Sequence, residues 1–93
     1  MKVYFTSKAE IGLEKIFTHV VENFSFAQAQ IVRNELVTSI LKLGDFPELG
    51  SKLAGQSDKR VLLVSGNAIV YEIVLAKSPY IIIRNIYYFK VES

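Results

Sequence analysis

Cysteine is missing from this chain, and histidine occurs once, at position 19. The first absence removes any disulfide framework or thiolate metal site, and with it any argument for an oxidising compartment. The second leaves too few imidazoles for a metal centre. His19 falls between Lys15 and Glu22 on the polar side of a predicted helix and reads as a surface residue. Glycines stand at positions 12, 44, 50, 55 and 66, a spacing that cradles no phosphate. No setting activates a serine as a nucleophile, so the residues require no metal and no cofactor. Long apolar runs are absent too. None reaches the ~20 residues that span a bilayer, and the N-terminus lacks the apolar core of a signal peptide, so the expected location is cytoplasmic, with no membrane partner. Excess charge is also scarce. Eleven Lys/Arg against nine Asp/Glu leave +2, far from the field of a protein that lives on nucleic acid, and sequence-specific DNA binding by this chain alone is not expected.

What is abundant is apolar surface. Hydrophobic residues make up 51% of the 93, and the mean hydropathy is +0.29. That is high for a size that allows one modest core and hence a single domain over residues 1–93. Part of this surface is expected to meet another protein. Residues 1–50 hold five Lys/Arg and six Asp/Glu, whereas residues 51–93 hold six and three. The basic half contains the most apolar stretch, YIIIRNIYYFK from Tyr80 to Lys90, where eight of the first ten residues are Ile, Tyr or Phe. A strand alternates its side chains between two faces, so this one needs cover above and below. Arg84 inside it needs a carboxylate, a stacking partner or an open face.

In chain order, Lys2–Thr6 reads as a strand. Ser7 and Glu10 form an S-x-x-E capping box that opens an amphipathic helix over residues 8–23, with the stripe Leu13, Ile16, Phe17, Val20, Val21 and Phe24. Ser25 and Gln28 repeat the device for a second helix, whose stripe is Ala29, Val32, Leu36, Ile40 and Leu43, widened by Val37 and Leu41. Gly44 ends it. DFPELG, from Asp45 to Gly50, is a turn-rich connection anchored by Phe46 and Leu49. Residues 51–58 read as polar and mobile. Lys59–Ser65 and Ala68–Ala76 are strands joined through Gly66 and Asn67, which sets Leu62 opposite Tyr71 and Arg60 opposite Ile73. Lys77–Pro79 makes the next turn. In the last strand Arg84 shares its face with Tyr80, Ile82, Ile86 and Tyr88.

The expected fold is α+β: an antiparallel sheet of about four strands with a helical hairpin packed on one face, in the order β-α-α-β-β-β. The first strand lies beside the last and opposes it. Two helices cover one face of a sheet that is apolar on both, so the other face is expected to be a binding surface.

The element order, the paired helices, the FPELG connection, the strand carrying Arg60 and the NAIVY run from Asn67 to Tyr71 together resemble the RelE/ParE superfamily of toxins from type II toxin–antitoxin modules, most closely its ParE-like branch. The family's last strand commonly ends in I-x-I-x-x-I-x-H-x-R. Here the corresponding residues are Ile81, Ile83, Ile86, Tyr88 and Lys90, with tyrosine in place of histidine and lysine in place of arginine. The resemblance implies a toxin silenced by an antitoxin whose C-terminal segment, disordered when free, folds as a helix and strand across the toxin's groove and sheet. Leu62, Tyr71, Ile82 and Tyr87 are the candidates for that contact. The resemblance also implies one of two targets. ParE-like members poison DNA gyrase and serve in plasmid stabilisation; RelE-like members are ribosome-dependent endoribonucleases that cut mRNA in the decoding site. A nuclease needs a base, an acid and cations for its transition state. Arg60, Arg84, Tyr88 and Lys90 are the candidates, but a tyrosine of ordinary pKa, about 10, is a poor base at neutral pH. The expectation is therefore a non-enzymatic gyrase inhibitor that uses the same four residues as target contacts. A non-toxic partner-binding or dimerisation module is a third reading.

Overall fold

The computed structural model describes residues 1–89. Its elements are β1 (Lys2–Phe5), α1 (Ser7–Asn23), α2 (Phe26–Lys42), β2 (Ser51–Leu53), β3 (Gln56–Val64), β4 (Asn67–Val74) and β5 (Tyr80–Tyr88). The strands form one sheet in the order β1-β5-β4-β3-β2. The α+β class, the helical hairpin and the β-α-α-β-β-β sequence hold, with one strand more than expected. Among the described residues no helix is long and apolar enough to cross a membrane.

The extra strand explains a second difference. Residues 51–58, expected to be mobile, turn back on themselves, so that Ser51 pairs with Val61 and Lys52 with Arg60. This short hairpin adds one reversal of chain direction. β3 therefore runs with β1, β4 runs against it, and β5 lies beside β1 in parallel, from Lys2↔Tyr80 to Phe5↔Ile83. The expected neighbour was right and the expected direction was not. The loop between β3 and β4 also moves back by one residue. Ser65 and Gly66 form it, with φ of 51 and 77, the pair of positive values that a twist-matched two-residue turn requires. Arg60 thus faces Tyr71 and Leu62 faces Ile69. A shift of two registers leaves every side chain on its expected face.

Thr6, not Ser7, caps α1. Its Oγ1 accepts from the Ala9 N–H at 3.1 Å, and its hydroxyl lies 3.0 Å from the Ile83 carbonyl and 3.1 Å from that of Arg84. The Thr6 N–H donates to Ile83 O at 3.1 Å as well, so one residue ends the β1–β5 pairing and starts the helix. Ser25 caps α2 as expected, accepting from Gln28 N at 3.0 Å. The two helices pack on the same side of the sheet. Ile16 and Val20 of α1 and Ala29, Leu36 and Ile40 of α2, followed by Leu43, meet Ile69, Tyr71, Ile81, Ile83 and Ile86 in the core. Phe24 and Leu41 fall outside this stripe and are exposed, and Val21 sits at its edge. α1 approaches β5 so closely at Gly12 that a Cβ there would collide with the Ile86 carbonyl oxygen. Glycine removes that obstacle.

β5 is bulged. Val70 lies opposite Asn85 and Tyr71 opposite Ile83, leaving Arg84 as the extra residue. Beyond it the alternation inverts. Ile81, Ile83, Ile86 and Tyr88 face the helices, and Tyr80, Ile82, Asn85 and Tyr87 face away. Arg84 therefore does not share a face with Ile86 and Tyr88.

Candidate functional site

The side of the sheet turned away from the helices carries an apolar surface with the Arg84–Glu72 ion pair in it. Cross-strand register puts Val61 beside Val70, Leu63 beside Ala68, Val74 beside Tyr80 and Tyr4 beside Ile82 on this side. The Tyr4 and Tyr80 rings meet edge to face at 5.5 Å, and Leu63, Tyr4 and Tyr87 are 57%, 50% and 40% exposed, well above what a covered face would allow. Near the centre, Nε and Nη2 of Arg84 both donate to Oε1 of Glu72, at 3.0 and 2.7 Å. Arg84 thus has the carboxylate that its place in an apolar strand demands. Because the arginine is partly exposed, the pair adds at most about 1 kcal/mol to stability; its position suits it to orienting a partner.

Arg60 and Tyr71 do a different job on the helix side. Arg60 Nη1 donates to Gly50 O at 2.7 Å and approaches Glu48 O at 3.4 Å. The Tyr71 hydroxyl donates to Pro47 O at 2.7 Å and accepts from the Gly50 N–H at 2.8 Å. These two side chains, rather than Phe46 and Leu49, anchor the DFPELG connection. Phe46 and Leu49 are 64% and 51% exposed. Tyr71 is fully buried and belongs to the core. Leu62 packs at the core margin on the same side. Of the four residues expected to meet an antitoxin, only Ile82 and Tyr87 lie on the uncovered face. Burial pushes the Tyr71 phenol above its ordinary pKa, with the Gly50 N–H and the charge of Arg60 acting against that rise. The sequence offered a signal here. A tyrosine in the middle of an apolar strand must satisfy its hydroxyl, and the polar backbone of an irregular connection can do it.

A third feature is an open cleft of about 1020 Å³ where the hairpin of α1 and α2 meets the β3–β4 turn and the end of β5. Ile16, Val20, Val32 and Ile86 make its apolar wall, and Lys15, His19 and Tyr88 stand among its polar residues. His19 is exposed, as the sequence suggests, yet its ring lies 6.0 Å from that of Tyr88 and its Nδ1 lies 3.2 Å from Asn23 Nδ2. Chain separation concealed that meeting. Asn67, also on the cleft wall, is only 2% exposed.

Of the four residues named for target contact or nuclease chemistry, the three described do not converge. Arg60 reaches toward Gly50, Arg84 lies on the uncovered face, and Tyr88 stands at the cleft. Lys90 lies outside the described residues. Among the described residues there is also no group of three or more His, Cys, Asp or Glu side chains placed to hold a metal ion.

Residues 3–87 match the family described as the ParE toxin of the type II toxin–antitoxin system parDE. A solved structure described as the chromosomal ParDE TA system from P. aeruginosa contains a chain of the same fold, with a TM-score of 0.79, 19% identity and coverage of 97% of each chain. No curated protein matches this one.

Proposed function

This chain belongs to the ParE toxin family of type II toxin–antitoxin systems, and from that premise we propose that it inhibits DNA gyrase and is silenced by an antitoxin lying across the uncovered face of its sheet. The observation that carries the antitoxin reading is that face itself. It is apolar, it includes Tyr4, Leu63, Ile82 and Tyr87, and the Arg84–Glu72 pair at its centre offers a fixed polar contact. A surface of this kind on a small chain is a docking site or an aggregation hazard. An antitoxin segment that orders on binding covers it at the cost of its own chain entropy. Ile82 and Tyr87 supply apolar contact, and Arg84 supplies the polar one.

Gyrase inhibition rests on the family and on the separation of Arg60, Arg84 and Tyr88, which gives an endoribonuclease reading no support. Inhibition works through protein contact, and both target and antitoxin are met in the cytoplasm. In a supercoiling assay the purified toxin is expected to block gyrase or trap it on cleaved DNA, with relief on adding the antitoxin. Normal supercoiling at saturating toxin overturns the gyrase reading, and cuts at the ribosomal A site in toeprinting replace it with the nuclease one. Induction without the antitoxin should arrest growth; continued growth leaves a non-toxic binding module.

A further inference from the structure

The seam where α1 and α2 meet carries aromatic surface that the core does not use up. Phe17 and Val21, four residues apart, share one face of α1, and Phe26 and Arg33, seven apart, share one face of α2. Ala29, between them in the chain, is fully buried, and a side chain that small lets the helices approach. The Phe17 and Phe26 rings stand edge to face at 5.8 Å. The Arg33 guanidinium lies over the Phe17 ring, 5.8 Å from its centre. Phe17 packs partly against the core, yet Phe26 is 59% exposed and Val21 is exposed as well. Arg33 is stacked and has no carboxylate: among the described residues the ion pairs join Lys59 to Asp58 and Arg84 to Glu72. None of Phe17, Val21, Phe26 and Arg33 lines the cleft, and all four belong to the helix layer rather than to the uncovered sheet face.

We propose that this seam is the surface through which the toxin grips its protein target, and that the target sets a carboxylate beside an apolar side chain there. Aromatic rings and arginine are the side chains that dominate binding energy between proteins. A guanidinium already resting on a ring keeps its planar fork in place, so a carboxylate can take two parallel hydrogen bonds at little cost in freedom. The neighbouring Phe26 and Val21 supply the apolar contact. The assignment rests on the reading that the chain is a toxin acting by protein contact. It fills a place left open, because Arg60, Arg84 and Tyr88 form no common target surface.

The test compares four variants of the full-length chain: Arg33→Glu, Arg33→Lys, Phe26→Ser and, as a control, Ile31→Ser. Ile31 is also exposed but lies five residues on from Phe26, on another flank of α2. Growth arrest on induction, inhibition of gyrase supercoiling and calorimetric affinity for the antitoxin are read for each. Arg33→Glu and Phe26→Ser are expected to raise the toxin concentration for half-inhibition at least about tenfold and to relieve growth arrest. Arg33→Lys, which keeps the charge and loses the fork, should fall between them and the wild type, and Ile31→Ser should match the wild type. Antitoxin affinity should stay within about twofold throughout, the change expected at a surface site outside that interface. Full toxicity in Arg33→Glu and Phe26→Ser overturns the proposal, as does an equal loss in Ile31→Ser or a parallel loss of antitoxin affinity. If Phe26→Ser fails to fold, the two substitutions of the exposed Arg33 decide. Should the wild type arrest growth while leaving gyrase untouched, the gyrase reading fails and growth arrest in the variants still judges the seam. A wild type that arrests nothing has no target, and the seam assignment falls with it.

Discussion

Ile86 and Tyr87 are neighbours in the chain and live in different surroundings. Ile86 is fully buried under α1, with its carbonyl pressed against Gly12, and Tyr87 stands 40% exposed on the far side of the same strand. The two faces of the sheet differ in the same way. The helix side is closed by packing and holds together Ile69, Tyr71, Ile81, Ile83 and Ile86. The far side carries no helix and mixes Val61, Val70, Ile82 and Tyr87 with Lys59, Glu72, Arg84 and Asn85, of which Arg84 and Glu72 are joined. Hydrophobicity alone therefore does not say which surface is structural. What separates the two is whether the chain itself supplies the cover.

Substitutions on each side can break that distinction. The largest effect is expected from Ile86→Ala, which opens a cavity under α1 and should cost about 2–5 kcal/mol in urea denaturation. Tyr71→Phe comes next, at about 1–3 kcal/mol, because Pro47 O and Gly50 N lose their partner in a buried place. That variant should differ in pH dependence too. The folded-state pKa of Tyr71 is raised, so its contribution is complete below the unfolded value of about 10 and fades as pH climbs through the folded value. Denaturation followed above pH 10 should show this loss in the wild type and not in Tyr71→Phe. Thr6→Ala removes the cap of α1 and should cost about 1 kcal/mol. Tyr87→Lys should change stability by no more than about 0.5 kcal/mol, yet weaken antitoxin binding at least tenfold by calorimetry. If Tyr87→Lys unfolds the protein as Ile86→Ala does, the far face is structural and the distinction fails.

The helices were legible because their apolar residues recur at spacings of three and four, and the stripe through Ile16, Val20, Leu36 and Ile40 is the one that packs. The edge of the pattern misled. Phe24 is the C-cap residue, with φ −133 and ψ −88, so it leaves the helical path that would have carried it inward. The strands were legible as elements but not in direction, because residues 51–58 hold too few apolar residues to announce β2. One unnoticed reversal then inverted the relation of β1 to β5. The bulge at Arg84 had a visible trace. Ile81, Ile83, Ile86 and Tyr88 are spaced two, three and two, and a spacing of three in a strand of period two means an inserted residue. Ile82 and Tyr87, candidates on the sequence, lie on the uncovered face, and Arg84 has the carboxylate that its strand demanded. That the Tyr71 hydroxyl needs a partner was legible too, but not that Pro47 and Gly50 supply it, since that depends on a fold that brings them to a residue more than twenty positions on.

The parallel pairing of β1 with β5 also sets the order in which the molecule can be completed during synthesis. β5, the last of the described strands in chain order, sits inside the sheet, between β1 and β4, with Lys2 waiting for Tyr80. Until the ribosome has released β5, β1 has no neighbour, the Thr6 cap lacks the Ile83 carbonyl, and α1 has no floor beneath Gly12. Contacts of such long sequence separation form late. A nascent chain stopped before Tyr80 therefore lacks the strand that joins β1 to the other three, and with it the floor of α1.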